Sequence, residues 1–301
     1  MGFANENQRI VFITGKGGVG KSAIAAAIAQ KYALGGAKTL LVELGEHSYF
    51  EHVYRRPIRY EPTEIKPNFY ISLWSGEPCL REYVFHLIRV KKIVDLFFEN
   101  KIMRTFIRAA PALKELAVLG KITSGIRKWG PPLDFDYIVI DAFSSGHFMA
   151  LLRAPKGMAD LIAAGPMGEQ SRLIDEVLRR TNLCEFKIVT LPEELPVSEA
   201  IELHSELVAE MGQSAEIICN RVYQSALSEG DVKGFQANTN DRATRDFTDF
   251  LLRTLEGQKT NLSELKSAHP GFETRPFIFS AQGLEVINQL QLSKDHHAAT
   301  F

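Results

Sequence analysis

The stretch at 10–34 reads IVFITGKGGVGKSAIAAAIAQKYAL, and it decides the fold. Its first five residues form a continuous apolar, β-branched run, which is typical of strands buried on both faces of a parallel sheet. The octet GKGGVGKS follows directly, and an alanine-rich helical pattern begins at Ser22. The motif G-x-x-x-x-G-K-[ST] between a strand and a helix is that of a phosphate-binding loop. We therefore predict a strand, a phosphate cradle and a helix in this order.

The residue types of the loop explain how it would hold phosphate. Glycines allow consecutive backbone N–H groups to turn inward around phosphate oxygens. The helix that follows adds the partial positive charge of its N-terminus. We expect Lys21 to contact the β- and γ-phosphates of ATP or ADP, and the Ser22 hydroxyl to bind Mg²⁺. The predicted nucleotide-binding residues of the loop are Gly15, Gly17, Gly18, Val19, Gly20, Lys21, Ser22 and Ala23.

Apolar runs alternate with helical patterns along the rest of the chain. Such alternation implies right-handed crossovers and a doubly wound, mostly parallel α/β sheet. We predict a single domain over residues 1–301. The predicted strands are Ile10–Thr14, Thr39–Glu43, Phe69–Leu73, Tyr137–Asp141, Phe186–Thr190, Glu216–Asn220 and Phe277–Phe279. The predicted helices are Ser22–Leu34, Gln170–Arg180, Val197–Met211 and Leu284–Leu292.

Two segments break the alternation. Residues 76–130 are predicted to form an inserted helical subdomain, because Arg81–Lys128 reads as consecutive amphipathic helices. That stretch has eleven Lys and Arg against four Asp and Glu, so it carries +7 and the remainder of the chain carries −8. The Gly-, Ser- and Asn-rich segment Tyr223–Asn240 predicts a mobile surface loop. Apolar side chains of the insert could line a groove for an apolar helix, or they could form its own core: Phe85, Leu87, Phe97, Phe98 and Phe106.

Composition and charge exclude several classes of protein. The chain has 301 residues, 45% hydrophobic and 24% charged, which is typical of a globular protein with a large core. The net charge of −1 makes nucleic acid an unexpected partner. Three scattered cysteines, Cys79, Cys184 and Cys219, contain no C-x-x-C pair, so neither a disulfide framework nor zinc is predicted. Without a long apolar run or a secretory signal, we expect a cytoplasmic protein.

A second strand is predicted to bring an acid to the same site. The apolar run at 137–140 ends in Asp141, and the C-terminal ends of parallel strands face the ligand crevice. Asp141 is therefore the expected partner of Ser22 at Mg²⁺, acting through water. In the segment that follows, Gly146 would let a backbone amide approach the γ-phosphate. This loop could change conformation when that phosphate leaves.

Four blocks of the sequence resemble the ArsA-like ATPases. They are GKGGVGKS at 15–22, DAFSSGHFMALLRAP at 141–155, VTLPEELPVSEAIEL at 189–203 and IICNRV at 217–222. That family includes the arsenite-pump ATPase and the ATPase that targets tail-anchored proteins, within a wider group that holds MinD and ParA. The resemblance spans roughly residues 11–222, and it is greatest to a bacterial branch named for anion transport. It implies the fold of a P-loop NTPase and the Mg²⁺-dependent hydrolysis of ATP to ADP and phosphate.

The resemblance also implies roles for individual residues. Lys16 occupies the extra-lysine position of the deviant loop K-G-G-x-G-K-S, where the lysine serves the partner subunit's site much as an arginine finger does. An ATP-dependent dimer follows, either a homodimer or a heterodimer with a paralogous ATPase. Asn220 would read the adenine edge, with Arg221 beside it, although a plain strand-end cap is the alternative. Pro276 and Phe277 would close the other side of the base.

The chain departs from the family pattern after the second strand. The family commonly has Asp-Pro-Ala-His there, and that Asp orients the attacking water, but an ungapped comparison places Gly45 at its position. Glu46 is the predicted catalytic carboxylate, with Glu43 as the alternative. In the segment after Asp141, Ser144 stands where the family has a Pro, so slow hydrolysis is expected. The arsenite pump binds As(III) through clustered cysteines, and the scattered cysteines of this chain argue against arsenite transport.

Three functions remain open at this point. The first is a dimeric ATPase whose nucleotide state switches the binding of an unidentified client protein, or of a partner at the membrane surface, through the insert. The second is a weakly hydrolysing regulatory subunit of a paired ArsA-like ATPase. The third is a positioning ATPase like MinD or ParA, although the short polar tail SKDHHAATF does not resemble an amphipathic membrane-binding helix. Peripheral membrane association is compatible with the first function.

Overall fold

A nine-stranded sheet organises the computed structural model, which confirms the predicted α/β fold class. The structure describes residues 7–101, 105, 107, 111–162, 164–224, 229–238, 241–280, 282–293 and 296–297. The strands are β1 (Arg9–Gly15), β2 (Thr39–Leu44), β3 (Thr63–Lys66), β4 (Phe69–Trp74), β5 (Tyr137–Ser144), β6 (Cys184–Thr190), β7 (Glu216–Val222), β8 (Glu273–Pro276) and β9 (His296–His297). The described helices are α1 (Lys21–Leu34), α2 (Tyr49–Tyr54), α3 (Gly76–Ile88), α4 (Lys91–Glu99), α5 (Pro111–Ile122), α6 (Ser124–Arg127), α7 (Ser145–Leu161), α8 (Pro166–Leu178), α9 (Glu194–Met211), α10 (Glu229–Asn238), α11 (Arg242–Ala268) and α12 (Gly283–Leu292).

The strand order is β3-β4-β2-β5-β1-β6-β7-β8-β9. The inner strands from β4 to β8 are all parallel, while β3 and β9 pair antiparallel at the two sides. Strand β1 lies between β5 and β6, and its Ile13 is level with Asp141 and with Lys187. All inner strands therefore end at one edge of the sheet, here called the upper edge. The loop that follows β1 lies at the middle of this edge, where ligands bind in open α/β sheets.

Helices cover both faces of the sheet. Successive residues of β1 alternate between the two hydrophobic cores, so that Phe12 belongs to one and Ile13 to the other. The core around Ile13 is completed by α1, α2 and α12. The core around Phe12 is larger and includes buried residues of α3, α5, α7, α8, α9 and α11. This arrangement is the doubly wound architecture that the alternation of patterns predicts.

The inserted helices α3–α6 pack on the sheet rather than apart from it. Leu80, Leu119 and Ile126 are buried in the same cluster as Phe12. Of the apolar residues that could line a groove, Phe98 is buried and Phe85 is exposed. The side chains of Leu87 and Phe97, and Phe106 as a whole, lie outside the described residues. Within the described part of the chain, no helix has both the length and the apolar character needed to cross a membrane.

Three local predictions are wrong. The apolar run Phe277–Phe279 is not a strand, because β8 ends at Pro276 and the aromatic rings of the run pack on Tyr223 instead. The segment Tyr223–Asn240 contains helix α10 where a loop was predicted. No loop follows Asp141, because β5 continues to Ser144 beside Gly15 of β1 and α7 begins at the next residue.

The contact between α9 and the end of α11 makes a prediction about stability. The rings of His204 and His269 lie 3.8 Å apart, and Nε2 of His204 is 3.0 Å from the Ser214 hydroxyl. Burial lowers the pKa of both imidazoles, and the proximity of His269 lowers that of His204 further. Below pH 6.5, the ordinary pKa of a histidine, the unfolded chain therefore binds more protons than the folded chain does. We expect stability to be full above that pH and to fall as the pH drops through the folded-state pKa values.

His204→Gln should reduce this pH dependence, measured as the difference between urea midpoints at pH 7.5 and pH 5.5. The exposed His47 provides the control variant, His47→Gln, which should keep the wild-type difference. An unchanged difference in His204→Gln would contradict the assignment.

Candidate nucleotide-binding site

The loop between β1 and α1 has a backbone shape that requires glycine at two positions. Gly15 has a φ of 137°, and a Cβ there would collide with the carbonyl oxygen of Val189 on β6. Gly20 caps α1 with a φ of 94°, and a Cβ there would lie 2.5 Å from Nδ2 of Asn220. Other residues would be strained at both positions. The glycines of the motif thus allow the loop to sit close against β6 and β7.

The loop opens into a cleft of about 610 Å³ at the upper edge. Loop residues and the first turn of α1 form one wall, α2 forms a second, and Arg221 of β7 with residues after β8 forms a third. The lining residues are Gly18, Gly20, Lys21, Ser22, Ala23, Tyr49, His52, Val53, Arg221, Ser280, Gly283 and Val286. A concave site at a helix N-terminus, with a lysine and a hydroxyl, suits a ligand that carries phosphate.

Six of the predicted binding residues line this cleft: Gly18, Gly20, Lys21, Ser22, Ala23 and Arg221. The other predicted binding residues are not among the lining residues: Gly15, Gly17, Val19, Gly146, Asn220, Pro276 and Phe277. Gly146 lies exposed in the first turn of α7. Phe277 stacks on Tyr223 with a ring separation of 4.7 Å. The cleft residues of α2 and α12, together with Ser280, carried no recognisable signal in the sequence.

Lys21, Ser22 and Asp141 meet below the loop. Nζ of Lys21 donates to the carbonyl oxygen of Lys16 at 2.9 Å, so this ammonium group folds back over the loop. Burial lowers the pKa of Lys21, and the carboxylate of Asp141 partly offsets that effect. The Ser22 hydroxyl donates to Asp141, whose pKa is raised to about 7, first by burial and then by the charge of Glu43. A hydroxyl and a buried carboxylate are hard oxygen donors, so these residues fit Mg²⁺.

Glu43 connects this group to α2. It lies beside Asp141 in the register of β2 and β5. Its Oε2 accepts from the Ser48 hydroxyl at 2.5 Å, and its Oε1 accepts from the backbone N–H of Tyr49 at 2.6 Å. Burial raises the pKa of Glu43, and these hydrogen bonds oppose the rise. Glu43 therefore caps the helix that forms the second wall of the cleft, a role that the sequence did not indicate.

Glu46 lies elsewhere. It is exposed two positions beyond β2, and it lines a separate cavity of about 290 Å³. That cavity is bounded by Phe143 of β5, His147 of α7 and Lys114 of the insert. The ring of His147 stacks on Phe143 at 4.0 Å, and its Nε2 lies 3.6 Å from Oε1 of Glu115. The structure thus brings Glu46 to the junction between the segment after β2, the end of β5 with the start of α7, and the insert.

Asn220 is buried directly under the loop. Its Nδ2 donates to the carbonyl oxygen of Val19 at 2.9 Å, which ties β7 to the loop. The next residue, Arg221, has a φ of 56° and is exposed at the wall of the cleft. The observed contact of Asn220 is structural, and its predicted reading of adenine stays a prediction.

Lys16 is paired outside the cleft. Its Nζ lies 2.6 Å from Oε1 of Glu199 on α9, and the two side chains are 33% and 38% exposed. Ion pairs with this exposure contribute at most about 1 kcal/mol. Lys16 is therefore held loosely and near the surface. Glu199 lies in the block VTLPEELPVSEAIEL, but the sequence alone did not identify it as a partner of Lys16.

Comparison of the sequence with known proteins shows the family of this chain. The family model described as "Anion-transporting ATPase" matches residues 8–164, which include the loop, Glu43 and Asp141. "ATPase BagA" of Mycobacterium tuberculosis is 30% identical over 238 residues, which cover 74% of this chain and 68% of that protein. "Arsenical pump-driving ATPase" of Escherichia coli is 27% identical over 206 residues, which cover 68% of this chain and 33% of that protein. The matched region thus spans about two thirds of one relative and a third of the other. The chain belongs to the anion-transporting ATPase family, the ArsA ATPases.

Proposed function

We propose that this chain is an ATPase that binds ATP with Mg²⁺ at the loop 15–22 and dimerises through its upper edge. Its nucleotide state would switch the binding of a client protein through the insert. The observation that carries the proposal is the group formed by Lys21, Ser22 and the buried Asp141 under a glycine loop. Family membership supports the same activity.

Binding of ATP would begin at Lys21, Ser22 and Asp141, which already lie together under the loop. Lys21 would exchange the carbonyl oxygen of Lys16 for phosphate oxygens, which gives a stronger, charge-assisted contact. Ser22 and Asp141 would hold Mg²⁺, which supplies neutralisation of phosphate charge when bound. At the other end of the cleft, Arg221 would flank the base, with Asn220 as the adenine-reading residue and Pro276 and Phe277 on the far side. Gly146 would offer its backbone amide to the γ-phosphate.

The position of Lys16 supports a dimer. ArsA-family ATPases generally dimerise. Lys16 lies at the upper edge. A third of its side chain is exposed, and one weak ion pair holds it there. A second nucleotide-loaded copy facing this edge would offer its phosphates as a stronger partner than Glu199. The dimer would then depend on the nucleotide.

A shared cavity supports the coupling of nucleotide state to the insert. Gly45 and Glu46 follow β2, Phe143 and His147 end or follow β5, and all four line one cavity with residues of α5. A change of conformation at Gly45 and Glu46, or at Phe143 and His147, would alter the packing of this cavity. The insert, which would carry the client site, therefore borders on the two segments that would respond to the phosphate.

The position of Glu46 favours a second candidate, a weakly hydrolysing regulatory subunit. Glu46 lines the cavity at the insert, so it must move to orient a water in the cleft. Glu43 is closer to Asp141, but both of its carboxylate oxygens already accept hydrogen bonds. We retain Glu46 as the proposed catalytic carboxylate, because its loop position lets it swing.

Lys21→Ala should weaken ATP binding by one to two orders of magnitude, because a hydrogen bond from a charged group is worth about 1.5–3 kcal/mol. Calorimetry with Mg²⁺ and ATP measures the loss. Lys31→Ala, at the exposed far end of the same helix, should bind as the wild type does. Undiminished binding by Lys21→Ala would rule out the site.

Lys16→Ala should retain ADP binding but lose the ATP-dependent dimer and most turnover. Sedimentation velocity at micromolar concentration, with a non-hydrolysable ATP analogue, measures the dimer. Glu199→Gln is the matched variant, and it should dimerise at least as well as the wild type because it releases Lys16. A wild-type protein that stays monomeric, or a Lys16→Ala dimer of normal affinity, would count against the proposal.

We expect a wild-type turnover below about 10 s⁻¹, and Glu46→Gln should slow it further without weakening ATP binding. Phosphate release and calorimetry separate the two effects. If Glu46→Gln hydrolyses at the wild-type rate and Glu43→Gln is inactive, the role belongs to Glu43. If neither variant changes the rate, the regulatory subunit is the better description.

A further inference from the structure

A cavity of about 170 Å³, here called the lower cavity, lies between α1, α12 and the strands β6, β7 and β8. It shares α1, β7 and α12 with the nucleotide cleft, but it lies towards their opposite ends. On α1 the cleft is lined by Ser22, whereas the lower cavity extends to Lys31, about 14 Å further along the helix axis. On β7 it is lined by Glu216, the first residue of the strand, and the cleft by Arg221. No described residue lines both spaces, so they are separate.

Charged side chains from three strands line one side of the lower cavity. Lys187 of β6 forms an ion pair with Glu216 of β7. On β8, Nη2 of Arg275 lies 2.6 Å from Oε2 of Glu273. The side chains of Lys187 and Arg275 are only 14% and 9% exposed. With Lys31 at the exposed rim, three cationic groups face two carboxylates, so an anion would balance the charge of the lining.

The ammonium group of Lys187 has hydrogen-bonding capacity left over. It carries three N–H donors, and one of them serves Oε2 of Glu216. Within the described part of the chain, no further acceptor contacts Nζ. Leaving donors of a largely buried charged group unused costs free energy. A carboxylate oxygen placed in the cavity would accept from them.

The other side of the lower cavity is apolar. Buried side chains of α1, β7 and α12 form it, namely Ile24, Ala27, Ile218 and Leu290. An apolar cavity of about 150 Å³ holds benzene, so the space here accommodates a body of that size. This apolar surface offers nothing to a bare inorganic anion such as phosphate. The lining therefore suits a molecule with an anionic group at one end and an apolar body at the other.

We propose that the lower cavity is a second binding site, and that its ligand is a small organic carboxylate with an apolar body about the size of a benzene ring. The carboxylate accepts charge-assisted hydrogen bonds from Lys187 and lies near the guanidinium group of Arg275. The body packs on Ala27 and Leu290. A nucleotide does not fit, because the cleft at the upper edge has about 610 Å³ and the lower cavity about 170 Å³. This site is additional to the proposed function and does not depend on it.

Benzoate is the probe, because it combines a carboxylate with an apolar ring. In the wild-type protein with isotope-labelled isoleucine methyl groups, a benzoate titration should shift the NMR signals of Ile24 and Ile218. We expect a dissociation constant of about 1 mM or below, which a ligand of this size can reach. Benzamide has the same shape and no charge, so it should bind about tenfold or more weakly. Equal affinities of the two compounds, or unshifted signals of both residues, would overturn the proposal.

Two double variants test the charged side of the cavity at constant net charge. Lys187→Met with Glu216→Gln removes the ammonium group together with its partner, and it should weaken benzoate binding about tenfold or more. Lys38→Met with Asp134→Asn is the matched control, since it removes an ion pair that does not line the cavity. The control should bind benzoate as the wild type does. Thermal unfolding checks that both variants fold, and wild-type affinity in the folded first variant contradicts the assignment.

The apolar side is tested by Ala27→Leu, which fills the cavity and should abolish benzoate binding without removing a charge. If the variant at Lys187 and Glu216 does not fold, this variant and the comparison with benzamide decide the question. ADP with Mg²⁺ separates the lower cavity from the phosphate-binding loop, and it should leave the shifts caused by benzoate in place. Displacement of benzoate by ADP would assign the probe to the loop. That result overturns the second site and leaves the proposed function standing.

Discussion

The close contact between the loop 15–22 and the ends of β6 and β7 is the constraint on which the site depends. The backbone at Gly15 lies against the carbonyl oxygen of Val189, and the amide of Asn220 holds the carbonyl oxygen of Val19. These contacts set where α1 begins, and therefore where Lys21 and Ser22 lie. They also direct Lys16 out of the cleft and towards α9.

A pair of buried carboxylates adds the second constraint. Asp141 and Glu43 lie side by side on neighbouring strands, where burial raises the pKa of both. Asp141 accepts a hydrogen bond from the Ser22 hydroxyl of the loop. Glu43 accepts one from the backbone N–H of Tyr49 in the first turn of α2. One wall of the cleft is thus tied to the other through two acidic groups. Bound Mg²⁺ and phosphate would act on both walls at once, which links ligand binding to the segment after β2.

Local signals made the loop, β1 and the parallel sheet predictable, because a glycine motif and continuous apolar runs each determine their own backbone. Contacts between distant residues were not predictable in this way. Asn220 was predicted to read adenine, whereas its observed hydrogen bond to the carbonyl oxygen of Val19 joins residues 201 positions apart. Phe277 belongs to an apolar run that suits either a strand or aromatic stacking, and Tyr223 decides in favour of stacking. The composition of the segment before α11 indicated a loop, although helix α10 forms there through packing against α11.

The central claim is that the nucleotide brings two upper edges together and moves Lys16 from Glu199 to the partner's phosphates. A crystal structure with Mg²⁺, ADP and aluminium fluoride tests it most directly. The account predicts two copies that face each other, with nucleotide in the cleft at Ser22, the pair between Lys16 and Glu199 broken, and Nζ of Lys16 on the phosphates of the other copy. A single copy with nucleotide bound and the pair between Lys16 and Glu199 intact would contradict it.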